Sequence, residues 1–333
     1  MDMKKLMEIK EVPYTIMNSS LSAIWGLIFA VILVIASLIA YGIGAGSGIG
    51  KILLGVLGFS IGSIISFPLL IFLTSLGSNF LFALVFNVVS PKVGAIQVGF
   101  EDNSKLSEID PVSYGIILAV MSIIPSLLWN LAIQPMIYFS LAASIEPFMI
   151  LSFLGSIIGT IIGAGIGGFV VGVLFAVTYN FIIKYVSPIT VKFESRGHGF
   201  DELVEIEPFS TSLSITLVHT FWTAIFTILV VIIAAIVGIF VPALIIGIIV
   251  IIATFLVSFV VLYFSAYIYN ILVTKMGGVK LRFEDVDGVT KANDIKEITK
   301  ETKELEEVKE KSSETDKEEE TEEKSSEKKE KEE

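Results

Sequence analysis

Long apolar runs separated by short polar intervals set the pattern of this chain. The first run extends from Leu21 to Ile43, and from Pro208 to Ile268 no Asp, Glu, Lys or Arg occurs. Runs of that length predict helices able to cross a bilayer. Where a run ends, the period changes: "YNILVTKMGGVKLRFED" (269–285) passes from oily sequence through Asn270 and a Gly pair into alternating apolar and polar residues. Alternation over so few positions predicts a short strand. "AIQVGFEDNSKLSEIDP" and "TVKFESRGHGFDELVEIEP" each contain two such arms split by Asp, Asn, Ser or Gly, which is a hairpin signal. In "VKLRFEDVDGVTKANDIKEI" the second arm is weaker, so with the N-terminal "LMEIKEV" six or seven strands are expected together on one membrane face.

Two ungapped blocks each occur three times. The opening block is "LMEIKEVPY" at Leu6, "LSEIDPVSY" at Leu106 and "LVEIEPFST" at Leu203. The closing block is "FNVVSPKVGAIQVGFE" from Phe86, "YNFIIKYVSPITVKFE" from Tyr179 and "YNILVTKMGGVKLRFE" from Tyr269. These blocks predict three units, residues 6–101, 106–194 and 203–284, each a strand, two spans and a strand. Parity selects two spans, because equivalent hairpins must lie on one side and every unit must return to the side it left. Spans are expected near 19–42, 63–88, 115–140, 156–183, 212–238 and 245–271, with outer turns at "YGIGAGSGIGKILL" and "SLAASIEP". The expected fold class is an α-helical polytopic membrane protein of six spans in three two-span repeats, with a small antiparallel β cap and a disordered acidic tail.

Composition agrees with the membrane class, with 54% hydrophobic and 17% charged residues in a chain of 333. The net charge of -11 comes mostly from residues 287–333, where 11 Lys face 19 Asp and Glu, leaving -3 for the rest. That stretch carries Ile295, Ile298, Leu305 and Val308 at near-heptad spacing, a weak coiled-coil signal, and beyond Lys309 its composition predicts disorder. Its acidity disfavours nucleic acid as a partner. Of the 12 Lys and Arg before residue 287, only Lys51 falls in an inter-span turn. The positive-inside rule then places the N-terminus, hairpins and tail in the cytoplasm of a multi-pass protein of the cell membrane. The first span exceeds a signal-peptide core and is expected to be retained. Expected partners are the lipid bilayer and proteins reached through the cap or tail, with the oligomeric state open.

Candidate chemistry is sparse. The chain has no Cys, and His198 and His219 lie far apart, so no metal site is expected. No carboxylate pair or Ser/His/Asp set marks a catalytic centre, and no cofactor is expected. "YGIGAGSGIGKI" fails as a phosphate loop because Ala45 and Ile52 stand where a Gly and a hydroxyl are needed. Asn87, Asn180 and Asn270 end the second spans and, with Gly277 and Gly278, are expected to be structural joints between helix and cap, ligand binding being the other reading. Ser22, Ser122 and His219 share one offset from the opening Leu and would form either a polar ring along a pathway or hydrogen bonds between helices. Gly155, Gly159, Gly163 and Gly167, four apart, predict a helix-packing face, with a pore lining as the alternative. Trp25, Trp129 and Trp222 read as packing or interface anchors. Glu8, Glu108 and Glu205, and Glu101, Glu194 and Glu284, recur on strands as solvated faces.

The "IDPVS" and "IEPFS" openings at Ile109 and Ile206, two spans, and the "YN" and "GG" close formed by Tyr269, Asn270, Gly277 and Gly278 resemble a family of transmembrane domains of unknown function best populated in actinobacteria. The first two units depart from it at the Gly pair. The resemblance implies a two-span unit with cytoplasmic ends and carries no activity. The expected function is a non-enzymatic membrane scaffold or interaction protein. The alternative is a channel or transporter for a small neutral solute through a pseudo-threefold six-helix bundle, since His219 is the only ionisable candidate at membrane depth for ion coupling.

Overall fold

The structure, a computed structural model, describes residues 2–44, 49–132, 135–136, 147–195, 197 and 199–286. In chain order the elements are β1 (Asp2–Ile9), α1 (Glu11–Gly44), α2 (Gly50–Val93), β2 (Ile96–Glu101), β3 (Lys105–Ile109) and α3 (Pro111–Ala132). They continue with α4 (Pro147–Ile182), β4 (Ile189–Ser195), β5 (Asp201–Ile206), α5 (Pro208–Ile236), α6 (Phe240–Met276) and β6 (Val279–Asp285). Strand, helix, helix, strand thus occurs three times. Consecutive strands pair antiparallel and the sheet closes into a six-stranded barrel, β1 to β6.

Two of the barrel's corners are hairpins. Between β2 and β3, Asp102 and Asn103 both take φ of 53° and Ser104 N–H donates to Glu101 O at 3.2 Å, as a type I′ turn requires. Asp and Asn tolerate that left-handed conformation better than other side chains. The turn between β4 and β5 uses Gly197 and Gly199, at φ 77° and 73°. Both hairpins carry a register shift at the same place, Gly99/Phe100 and Lys192/Phe193. The third corner has no connecting loop, because β6 there meets β1. Lys10 N–H donates to Lys280 O at 2.9 Å, matching Asp110 N–H to Gln97 O and Glu207 N–H to Thr190 O, also 2.9 Å each. Arg282 and Glu8 form an ion pair at 2.8 Å across this corner. The weak second arm expected after Asp285 is therefore supplied by the N-terminal strand, and residues from 287 on, including the acidic tail, lie outside the described residues.

All six helices are long and apolar enough to cross a membrane. They extend further toward the barrel than hydropathy alone predicts: α1 starts at Glu11 rather than near 19, and α6 ends at Met276 rather than 271. In apolar surroundings an unpaired peptide group is costly, so helical bonding continues until a specific stop signal. Asp110 and Glu207 supply such signals next to Pro111 and Pro208, their carboxylates accepting from Ser113 N–H and from Phe209 and Ser210 N–H. Gly94, at φ 97°, ends α2 in the left-handed conformation. At the far end the expected Gly-rich turn is mostly helical, since α1 runs to Gly44 and α2 resumes at Gly50 with Lys51 in its first turn. Most of the other expected outer turn, "SLAASIEP", lies outside the described residues.

The helices pack mainly in pairs, α1 with α2, α3 with α4 and α5 with α6. Close approach within a pair depends on small residues. A Cβ on Gly172 would lie 2.8 Å from Gly115 Cα, and one on Gly168 would lie 2.7 Å from Leu118 O. Much of the remaining helix surface is exposed apolar side chain.

Candidate functional site

The corner where a helix pair meets the barrel is built by the same bonds three times. Asn87 donates to Ile9 O and accepts from Ile9 N–H, both at 2.8 Å. Asn180 does the same with Ile109, at 2.8 and 2.9 Å, and Asn270 with Ile206, at 2.8 and 2.9 Å. Each amide therefore clips the second helix of a pair to the last strand residue before the first helix. A side-chain amide has one acceptor and donors in the right plane for that pairing, which a carboxylate or hydroxyl lacks.

A second bond caps the opening Leu carbonyl. Tyr179 OH donates to Leu106 O at 2.6 Å and Tyr269 OH to Leu203 O at 2.8 Å, and each also accepts, from Ile189 N–H and Val279 N–H. Phe86 stands at this position in the first pair and has no hydroxyl. There Ser90, one turn later, donates to Leu6 O at 2.8 Å. Gly277 and Gly278 fit the third corner for steric reasons: Gly277 takes φ 80°, and a Cβ on Gly278 would fall 2.0 Å from Leu203 O. Gly278 N–H donates to the buried Glu202 carboxylate at 2.6 Å.

Inside the barrel, Phe100, Phe193 and Phe283 meet edge to face with centroid separations of 5.8, 5.8 and 5.5 Å. These are the last Phe of the three closing blocks. Phe100 is buried with Val98, Ile109 and Tyr179, and the partly buried Phe193 and Phe283 pack against that cluster. Sequence reading treats these Phe only as the apolar arm of an alternating strand. Their identical offset from the three Asn was the available signal for a shared centre.

Indole groups bridge two of the junctions between helix pairs. Trp25 Nε1 donates to Ser265 Oγ at 2.9 Å, linking α1 to α6, and Trp222 Nε1 donates to Thr178 Oγ1 at 3.1 Å, linking α5 to α4. No protein-family model, curated protein or solved structure matches the chain. Among the described residues no three His, Asp or Glu side chains come together as a metal ion would need.

Two of the expected groupings are placed differently. Gly155, Gly159, Gly163 and Gly167 have open space where a Cβ would stand, and the glycines of α4 that touch α3 are Gly165, Gly168 and Gly172. Helix α4 presents two glycine faces, and four-residue spacing alone does not tell which one meets its partner. Ser22 and Ser122 donate back to Asn18 O and Leu118 O at 2.8 and 2.7 Å. Ser122 lies against Gly168 of its own pair, whereas His219 is exposed in a groove beside α4 and α6. Ser122 and His219 thus face different surroundings, which a ring around one lumen would not allow. Glu101, Glu194, Glu205 and Glu284 are exposed, while Glu8 and Glu108 are partly covered. Outside the helices, Glu207 has its carboxyl shifted: burial raises its pKa, but bonds from Ser210 and from the Ser210 and Phe209 amides outweigh this and leave it below the usual glutamate value.

Proposed function

We propose that this chain is a multi-pass membrane protein of three related two-span units roofed by a cytoplasmic β-barrel, and that it acts as a non-enzymatic scaffold whose ordered face is the barrel. The observation that carries this reading is the set of three equivalent Asn clips, in which the recurring polar side chains of the corners bond backbone groups rather than being left for chemistry. Six long apolar helices are compatible with insertion in a bilayer. The Phe100, Phe193 and Phe283 rings across the barrel argue against an axial path for solute. Lys and Arg gathered at the barrel end favour a cytoplasmic barrel. The motif resemblance to a two-span family of unknown function points the same way.

The chain lacks Cys, so topology is open to single-Cys labelling. Substitutions at positions 104 and 197 should react only from the cytoplasmic side, and one at position 51 only from the outside. Labelling of 104 and 197 from opposite sides would overturn the two-span unit. In proteoliposomes, fluxes of small neutral solutes should match those of protein-free vesicles. A protein-dependent flux that rises on Phe193→Ala would replace the scaffold with a channel.

A further inference from the structure

Grooves open at the junctions between helix pairs, and one differs in chemistry. Those involving α1, of about 300 and 340 Å³, are lined chiefly by apolar and aromatic residues together with Asn, Ser and, in the second, Thr211. The groove between α4 and the α5–α6 pair is larger, about 530 Å³. Its walls include Phe175, Trp222 and Phe226, and no Asp, Glu, Lys or Arg lines it. Into it face His219, Thr254 and Ser258, none of which makes a side-chain hydrogen bond among the described residues. Of the other hydroxyls in the helices, those of Ser122, Thr223 and Ser265 bond back to their own helix, while those of Thr211, Thr216 and Thr220 on α5 also lack a partner but do not line this groove. Thr254 and Ser258 are one turn apart on one face of α6, with the imidazole across from them on α5.

Resting on the membrane reading above, we propose that this groove binds an isoprenoid quinone. His219 stands eleven residues beyond Pro208 in the 29-residue α5, about 16 Å along a helix of about 43 Å. With an apolar slab of about 30 Å, that depth lies inside the hydrocarbon, in the half nearer the barrel. Three unspent hydrogen-bonding groups there call for a ligand that is lipid-soluble and carries acceptors. A quinone ring offers two carbonyl acceptors on a flat frame, suited to the imidazole N–H and the two hydroxyls and to stacking against Trp222, whose orientation is fixed by Thr178. A phospholipid head group or fatty carboxylate would bring charge to a groove with no permanent cation, and a sterol would bring only one hydroxyl. The volume suits the ring and the start of an isoprenoid tail, the rest of which would lie in the bilayer.

The test uses the full chain in phosphatidylcholine nanodiscs, titrated with decylubiquinone and followed by quenching of its Trp fluorescence. Saturable quenching is expected, with Kd raised about tenfold or more in His219→Leu and in Thr254→Val/Ser258→Ala and unchanged in Ser22→Ala. Quenching that rises linearly as simple partition, or saturable binding insensitive to both groove variants, would overturn the proposal. Displacement of the quinone by equimolar cholesterol or oleic acid would overturn the ligand class. Failure of the wild-type chain to co-float with liposomes would sink the membrane reading itself, whereas flotation without saturable binding sinks the groove alone.

Discussion

The barrel corners and the helix junctions respond differently to threefold repetition. At the corners the bonds recur nearly atom for atom, and where the side chain changes, as from Tyr179 and Tyr269 to Phe86, a neighbouring Ser90 restores the bond. At the junctions almost nothing recurs: two have an indole bridge, and of the three grooves one is lined by an imidazole, that of His219. The corners hold peptide groups that must be satisfied wherever water is scarce, and few side chains can do it. The junctions are apolar surfaces meeting lipid or one another, where many side chains pack equally well and the sequence is free to diverge.

That contrast breaks most readily at the corners. Gly278→Ala should be the most damaging change, since its Cβ would overlap the Leu203 carbonyl; we expect a loss of at least about 3 kcal/mol, seen as loss of monodisperse protein. Asn270→Leu removes a donor and an acceptor from Ile206 and should cost about 2–4 kcal/mol in detergent unfolding. An unchanged midpoint would deny the clip a structural role. Tyr269→Phe should cost about 1–2 kcal/mol, and adding Val273→Ser, which copies the Phe86 and Ser90 arrangement, should recover part of it. Failure of that rescue would mean the corners are less equivalent than their bonds imply.

At a junction the effects shrink. Trp25→Phe loses one indole bond and should lower stability by no more than about 1 kcal/mol. Glu207 should contribute least. Its folded pKa is depressed, so its contribution is present above the unfolded glutamate value and lost as pH falls through the folded one. Glu207→Gln should therefore lower the neutral plateau slightly and flatten the acid limb of the stability curve, leaving stability at low pH unchanged.

Much of the corner was legible in the chain, because a satisfied backbone demands a particular residue at a fixed offset and leaves a recurring letter. Asn87, Asn180 and Asn270 stand out for that reason, as do the two hairpins with their Asp, Asn and Gly turns. The Phe triad was harder to see: alternation says that Phe193 is on the buried face, but not that Phe100 and Phe283 lie across from it. The glycines of α4 misled for a related reason. Both of its small-residue faces obey helical spacing, and only the partner helix selects Gly168 and Gly172. Closure of the barrel through β1 was invisible because the two strands that meet there stand some 270 residues apart in the chain.

That last feature bears on how the molecule is made. Strand β1 is synthesised first and can pair with β2 early, yet its other edge stays unpaired until β6 has emerged, some 270 residues later. For that interval the growing chain carries an open strand edge of the kind that invites wrong pairing. The barrel is therefore a completion step, available only to a chain translated through Asp285, and a ribosome that stalls earlier leaves the edge exposed for quality control to find.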